Sequence, residues 1–265
     1  MKTVREKDTR LPLSVYMITL NNNATIARAL ESIAGWAGEI IVVDSHSTDG
    51  TTETASKYCE VLQFDTSDQR EKYQYAHNRC TFPWLLFIDA DEWLTDAFKR
   101  EVAEVIASDP DVNGYIADRR NIYLGREIRH GGWYPDREIR LYKQTSGSWQ
   151  GGIHAKVHID GRIGHLKNHY LHTPYMDIAH QIRTIDRYSE AYARDLFNAG
   201  RRFHAANIIF RPIYRFFRDY IFKMGFLDGL PGIIIMAGTL YYVFMKHARL
   251  WEIERVHGGD KRVQR

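Results

Sequence analysis

The sequence predicts an α/β protein with a parallel sheet in its N-terminal third, and three observations carry the prediction. Apolar, β-rich runs at residues 13–19, 39–44, 61–64 and 84–89 alternate with stretches of helical period at 24–36, 51–58, 68–80 and 95–108. Right-handed crossovers turn that repeating strand–helix order into parallel pairing. The run Leu85-Leu86-Phe87-Ile88 is short and uninterruptedly apolar, as a strand covered on both faces must be. Two of the runs end in aspartate, Asp44 and Asp89, which puts carboxylates where open α/β sheets bind ligands.

Each element has its own signal. The first strand leads into Asn21-Asn22-Asn23, a polar loop, and then a helix; the second leads into Ser45-His46-Ser47-Thr48-Asp49-Gly50, a loop of hydroxyls and turn formers. Neither Gly-x-Gly-x-x-Gly nor Gly-x-x-x-x-Gly-Lys-Ser/Thr follows any strand, which argues against dinucleotide and P-loop chemistry. Aspartates take their place. In W-L-L-F-I-D-A-D-E-W (84–93), a chain extended for two residues past the apolar run points Asp89 and Asp91 to one side. Two carboxylates held together need a cation, and a hard divalent ion such as Mg²⁺ or Mn²⁺ suits them. The same letters also fit a turn followed by the acidic first turn of the next helix. Asp44 is read either as an acceptor for an imide N–H such as uracil's or as a loop-capping residue.

After residue 108 the pattern becomes short β-like segments at 114–123, 127–130 and 138–143, separated by Gly and Pro. They carry G-G-W-Y-P-D-R-E-I-R-L-Y (131–142) and W-Q-G-G-I-H-A-K-V-H-I-D-G (149–161). Trp, Tyr and Arg in loops suit a sugar ring and a phosphate, or else an aromatic core edged by arginines.

With 265 residues, 44% hydrophobic and 26% charged, the chain is one large domain or a domain with an appendage. The net charge of +3 is unevenly placed: residues 201–265 hold 12 Lys+Arg against 5 Asp+Glu, leaving 24 against 28 in residues 1–200. The tail is basic and interleaved with apolar and aromatic residues, which favours a membrane surface over nucleic acid. Arg211, Arg215 and Arg218 fall at i, i+4, i+7 within F-H-A-A-N-I-I-F-R-P-I-Y-R-F-F-R-D-Y-I-F-K-M (203–224), the pattern of an interfacial helix, with Pro212 expected at a break or first turn. Residues 230–245 form an uncharged run of 16, short of the roughly 20 needed to span a bilayer. It is expected to dip into one leaflet between Lys223 and Lys246, or to pack on protein. Cys59 and Cys80 show neither metal spacing nor a Cys-x-x-Cys pair, which predicts a reduced, cytosolic setting. The charged N-terminus has no apolar h-region.

Taken together, L-S-V-Y-M-I-T-L-N-N-N, E-I-I-V-V-D-S-H-S-T-D-G-T, L-L-F-I-D-A-D-E, G-W-Y-P-D-R-E-I-R-L-Y and G-F-L-D-G-L-P-G resemble glycosyltransferase family 2. Within it the chain is similar to lipopolysaccharide inner-core β-glucosyltransferases and relatives acting on polyprenyl-linked glycans. The resemblance implies a GT-A catalytic domain over residues 1–175, with a nucleotide half at about 11–110 and an acceptor half at about 111–175. A helical, membrane-associating region follows at 176–265. It implies an inverting hexosyltransferase that takes a nucleotide-sugar, UDP-linked, to a lipid-borne acceptor at the cytoplasmic face of the inner membrane, with Mg²⁺ or Mn²⁺ and with contacts between C-terminal helices available for a homo-oligomer. It implies that Thr19, Asn21 and Asp44 line the nucleotide, that Asp89 and Asp91 form a D-x-D, that Arg140 meets the diphosphate, that Trp133, Tyr134 and Asp136 face sugars, and that His154 joins Asp91 at the metal. The chain departs from the family in two places. Ala155 stands where relatives tend to have Glu, leaving Asp136 as the base candidate, and R-E-K-Y-Q-Y-A-H-N (70–78) replaces a glycine-rich stretch, with Gln74 and Asn78 left to touch the donor. A sugar nucleotidyltransferase and a catalytically impaired membrane-bound scaffold are the alternatives.

Overall fold

A computed structural model describes residues 10–66, 68–151 and 155–263. The chain forms two compact units, one made of residues up to Arg120 with Asp136–His172, the other of Asn121–Pro135 with Thr173–Arg265.

The first unit is built on β1 (Leu11–Thr19), β2 (Ala37–Asp44), β3 (Val61–Gln63) and β4 (Trp84–Phe87), joined by helices α1 (Ile26–Ile33), α2 (Thr51–Ala55) and α3 (Gln69–Arg79). These four strands are parallel in the order β3-β2-β1-β4. The sheet continues beyond β4 through β8 (Asp136–Lys143), β6 (Gly114–Tyr123), β11 (Ile163–His172) and β5 (Glu92–Trp93), with the β4–β8, β8–β6 and β11–β5 pairs antiparallel. Alternation along β1 sends Leu13, Val15 and Met17 to one core with α1, α2 and α4 (Asp96–Ser108), and Tyr16 to another with α3. In α1 the buried residues Ile26, Ala29, Leu30 and Ile33 follow the i, i+3, i+4, i+7 rule. The Thr95 side chain caps α4 by accepting from Phe98 N at 3.2 Å. A hairpin of β9 (Gly147–Gln150) and β10 (Lys156–Ile159) lays Trp149 on Tyr73, ring centroids 4.0 Å apart.

The expected strands and helices recur within a few residues of their predicted ends, with one exception that matters for the site. β4 stops at Phe87, and residues 89–92 turn instead of continuing extended: Glu92 N donates to Asp89 O at 3.0 Å and Asp89 N to the Glu92 carboxylate at 2.9 Å. The turn is favoured because the Glu92 side chain folds back to satisfy a backbone donor at the strand end.

In the second unit, the end of β6 pairs with β7 (Arg126–Ile128), and helices α5 (Ile178–Asn198), α6 (Ala205–Arg215) and α7 (Gly229–Val263) follow. Residues 121–135, expected with the catalytic domain, belong here because their backbone donors find acceptors among the helices: Gly131 N reaches Lys223 O at 2.9 Å and His130 N reaches Asp228 at 2.9 Å. Pro212 sits inside α6, correcting the expected break. No residue of α6 is buried, so water can meet the carbonyl that the missing N–H leaves free, and the helix widens to a π-turn at Phe216–Phe222 just afterwards. The helix that holds the uncharged run extends well beyond it. α7 is continuous for 35 residues, because Pro231 falls in its first turn, where no N–H bond is lost. The stretch Gly225–Val256 is long and apolar enough to cross a membrane by length and composition.

Candidate active site

The site lies at the carboxyl end of β4, and its centre is a residue that the motif reading passed over. Glu92 is completely buried. Its carboxylate accepts from Arg140 at 2.8 Å and Arg119 at 2.9 Å; Arg140 also reaches Asp89 at 3.3 Å, and Arg119 reaches Asp136 at 2.8 Å. Arg140, itself 2% exposed, donates to Tyr170 Oη at 2.7 Å and packs over the Phe87 ring. β5 pairs His172 with Glu92 across to β11, which brings His172 Nε2 to 3.3 Å from Asp91. Asp89, Asp91, Glu92 and Asp136 therefore face two guanidiniums and one imidazole.

The electrostatics follow from that composition. Burial first, and the neighbouring Glu92 charge second, push the Asp89 carboxyl up to about 7, against the pull of Arg140. Burial also acts upward on Asp91, but the hydrogen bond and charge of His172, with Arg119, outweigh it and hold that carboxyl below its usual range. Burial weakens the positive charge of Arg119 and Arg140, and the carboxylates, Glu92 foremost, more than restore it. Two adjacent carboxylates thus differ: Asp91 is firmly ionised, whereas Asp89 retains a proton until near neutral pH.

A cavity of about 380 Å³ opens over the cluster, lined by Asp89, Arg119, Arg140, Tyr73, Trp149 and Ala155, with Glu138 on the same wall. That volume lies in the range of small-molecule sites.

The sequence-predicted residues divide into groups. Asp89, Asp91, Asp136 and Arg140 are brought together. Thr19, Asn21 and Asp44 meet at the neighbouring ends of β1 and β2, where Thr19 pairs with Asp44 in register. There Asn21 N donates to Ser47 Oγ at 2.8 Å and Ser47 N to Asp44 at 2.8 Å, with Thr52 Oγ1 also reaching Asp44 at 3.2 Å. Gln74 accepts from Trp149 N at 3.0 Å and donates to Asn78 at 2.8 Å; neither lines the cavity, to which this helix contributes Gln69 and Tyr73. Trp133 and Tyr134 lie in the second unit, where Trp133 packs on Tyr123 and Tyr175 at 5.6 and 5.7 Å and lines a cavity of about 200 Å³. His154 lies outside the described residues. Among the described residues no group of three metal-ligating side chains converges. In the second unit Arg215 and Arg218 both bind the buried Asp219, at 3.2 and 2.6 Å, while Arg211 bonds Asn207 at 3.0 Å. Lys223 is exposed at the end of the π-turn.

Sequence reasoning missed Glu92, Arg119, Tyr170 and His172. Glu92 was visible as the third carboxylate of D-A-D-E; the other three are recruited by strand pairings that no local pattern announces.

Residues 14–159 match Glycosyl transferase family 2. The chain belongs to this family. Among its relatives, the lipopolysaccharide core biosynthesis glycosyltransferase LpsC of Rhizobium meliloti is 28% identical over 92% of this chain and 93% of its own length. An uncharacterized glycosyltransferase of Rickettsia typhi is 26% identical over 91% of this chain and 87% of its own. A structure of Staphylococcus aureus TarS 1-349 in complex with UDP-GlcNAc covers 93% of this chain and 92% of that one at 15% identity and a TM-score of 0.48. Glucosyl-3-phosphoglycerate synthase of Mycobacterium tuberculosis, solved with Mn²⁺ and UDP, covers 43% of this chain and 45% of that one at 22% identity and a TM-score of 0.36. The mixed sheet, parallel on one side of β4 and antiparallel on the other, is the GT-A fold. The protein is a family 2 glycosyltransferase with a homologue in lipopolysaccharide core biosynthesis.

Proposed function

We propose that this transferase is an inverting, metal-assisted hexosyltransferase that moves a sugar from a UDP-linked donor to a lipid-borne glycan at the inner leaflet. The observation that carries the reading is the carboxylate–guanidinium cluster at the end of β4, opening on a cavity of small-molecule size. Its carboxylates fit a hard divalent cation: Asp89 and Asp91 are each 30% exposed, and carboxylates outnumber guanidiniums in the cluster. Asp91 would hold Mg²⁺ or Mn²⁺ with Asp89 beside it, and a bound ion would neutralise charge on the departing nucleoside diphosphate. His154 remains an expected further ligand.

This chain's residues do the rest. Glu92 fixes Arg119 and Arg140 so that Asp89 is presented to the cavity, and Tyr73 and Trp149 supply an aromatic wall for a ring. Thr19, Asn21 and Asp44 shape the loops assigned to the nucleotide. Direct displacement needs a base for the acceptor hydroxyl. Asp136, the residue assigned from sequence, is held by Arg119. Glu138, 4.0 Å from the Lys156 ammonium, lines the cavity together with Ala155, so a second carboxylate is available on the wall that lacks the expected Glu; this supports a working enzyme over an impaired scaffold.

For the acceptor side, the second unit exposes Phe210, Phe222 and Leu230 at 66, 77 and 68%, beside Arg211 and Lys223, while Arg215 and Arg218 share the carboxylate of Asp219. Apolar side chains with flanking cations favour peripheral or monotopic attachment to an anionic leaflet. Pairing of the C-terminal helices in a homo-oligomer would cover the same residues, and flotation with anionic vesicles separates the two. A thermal-shift screen against UDP-Glc, UDP-Gal, UDP-GlcNAc, GDP-Man and dTDP-sugars, each with and without Mn²⁺, tests the donor reading. Mn²⁺-dependent stabilisation by a UDP-sugar is expected; none by any nucleotide-sugar would refute it.

A further inference from the structure

The second unit contains a cavity of about 600 Å³ that the chemistry above does not use. It lies where the end of α5, the loop after it, α6 and α7 meet, and its wall carries Arg201, Arg202, Arg211 and Lys246 together with His204 and His247. No carboxylate lines it. Among the described residues none of the four cations is paired with an acid: Arg211 bonds the Asn207 amide at 3.0 Å, Lys246 lies over the rings of Tyr192 and Tyr242 at 4.6 and 5.3 Å, and Arg202 lies over Phe197 at 5.9 Å. Nearby acids are engaged elsewhere, Glu190 with Arg194 and Arg249, Asp186 with Arg249, and Glu254 with Phe203 N. Four cations around one space without a counter-charge leave a potential that an anion relieves.

A second observation points into the same space. His247 is 4% exposed, and its Nε2 has no hydrogen-bond partner. Buried ring nitrogens are almost always satisfied, and an oxygen of a ligand in this cavity would satisfy this one. α6 also begins here, with His204 at its N-cap and no side-chain cap. Asn207 N bonds back to His204 O at 2.9 Å, which leaves the N–H groups of Ala205 and Ala206 to face an anion.

We propose that this cavity is a binding site for a phosphate or diphosphate group, held by Arg202, Arg211 and Lys246 with His247 completing the shell. Guanidiniums grip phosphate oxygens bidentately, and the volume admits two phosphoryl groups. Two sources share this chemistry, a soluble diphosphate and the headgroup of a lipid. The inference rests on the second unit alone and stands independently of the donor reading.

The test is calorimetric titration of the protein, in buffer free of divalent ions and of UDP, using inorganic pyrophosphate and, separately, dihexanoyl phosphatidic acid. One saturable site is expected for at least one probe, weakened tenfold or more in both Arg211→Gln and Lys246→Gln and weakened steeply by salt. The exposed Arg202→Gln serves as a third variant should either of those unfold, and a circular-dichroism melt matching wild type shows that the variants are folded. Tighter binding of phosphatidic acid that displaces pyrophosphate assigns the site to a lipid headgroup; the reverse order assigns it to a soluble diphosphate. No saturable binding of either probe, or equal affinity in wild type and folded variants, overturns the proposal.

Discussion

Replacing Asp89 by asparagine is expected to stabilise the unliganded protein at pH 8 while abolishing donor binding. The Asp89 carboxyl is pushed up to about 7, chiefly by burial and then by Glu92. A carboxyl that holds its proton more tightly folded than unfolded contributes stability that is complete below about pH 4 and is lost as the pH rises through about 7. At about 1.4 kcal/mol per tenfold change in proton affinity, the gap between the usual 3.8 and about 7 sets a ceiling of about 4 kcal/mol on the cost of ionising Asp89 in the folded state. The side chain is 30% exposed, and solvent screening brings the figure to about 1–2 kcal/mol. Asparagine has nearly the same shape, keeps an oxygen for Arg140 and never ionises. Its melting temperature should exceed that of wild type by about 2–5 °C at pH 8, with the gain shrinking at pH 5 and vanishing below about pH 4. Thermal and urea melts followed by circular dichroism at pH 8, 6 and 5 measure this. A variant less stable than wild type at pH 8, or a gain independent of pH, would refute the reasoning that the cluster holds surplus negative charge.

Three further outcomes are expected. Glu92→Ala removes the shared partner of Arg119 and Arg140 and should cost about 3–5 kcal/mol in urea unfolding; a loss under about 1 kcal/mol would show the guanidiniums re-pairing with Asp89 and Asp136. If Glu138 is the base, Glu138→Gln lowers kcat by about 10²–10⁴ with little change in UDP affinity, whereas Asp136→Asn is milder; the opposite ranking in single-turnover assays returns the role to Asp136. Gly238→Ala places a Cβ 2.5 Å from Gln181 Nε2 and 3.2 Å from Ile185 Cδ1. Gln181 is buried and tied to Tyr123, so the overpacking should cost about 1–3 kcal/mol, read as a lower melting temperature.

Much of the first unit can be read from the chain because its signals are local. Apolar runs give β1 to β4, the helical spacing of Ile26, Ala29, Leu30 and Ile33 gives α1, and aspartates mark the strand ends. The site is only partly legible for a physical reason. Asp89 and Asp91 announce themselves in four letters, but Arg119, Tyr170 and His172 arrive from strands β6 and β11, tens of residues away in sequence, through antiparallel pairings that periodicity does not encode. Glu92 resembled a helix-start acid and is instead the buried hub, a role set by the two arginines facing it. Trp133, whose sugar-facing role is implied by the family resemblance, lies in the second unit, where the hydrogen bonds of His130 and Gly131 hold its loop. Pro212 shows the limit of breaker rules, since an exposed helix tolerates an interior proline.

The central claim is that the donor binds at the carboxyl end of β4 through Asp91 and a divalent ion. Calorimetric titration of UDP in the presence and absence of Mn²⁺, on wild type and on Asp91→Ala, tests it most directly. The account predicts Mn²⁺-dependent binding by wild type and an affinity at least tenfold weaker in a folded Asp91→Ala; equal, Mn²⁺-independent affinity in the two proteins would contradict it.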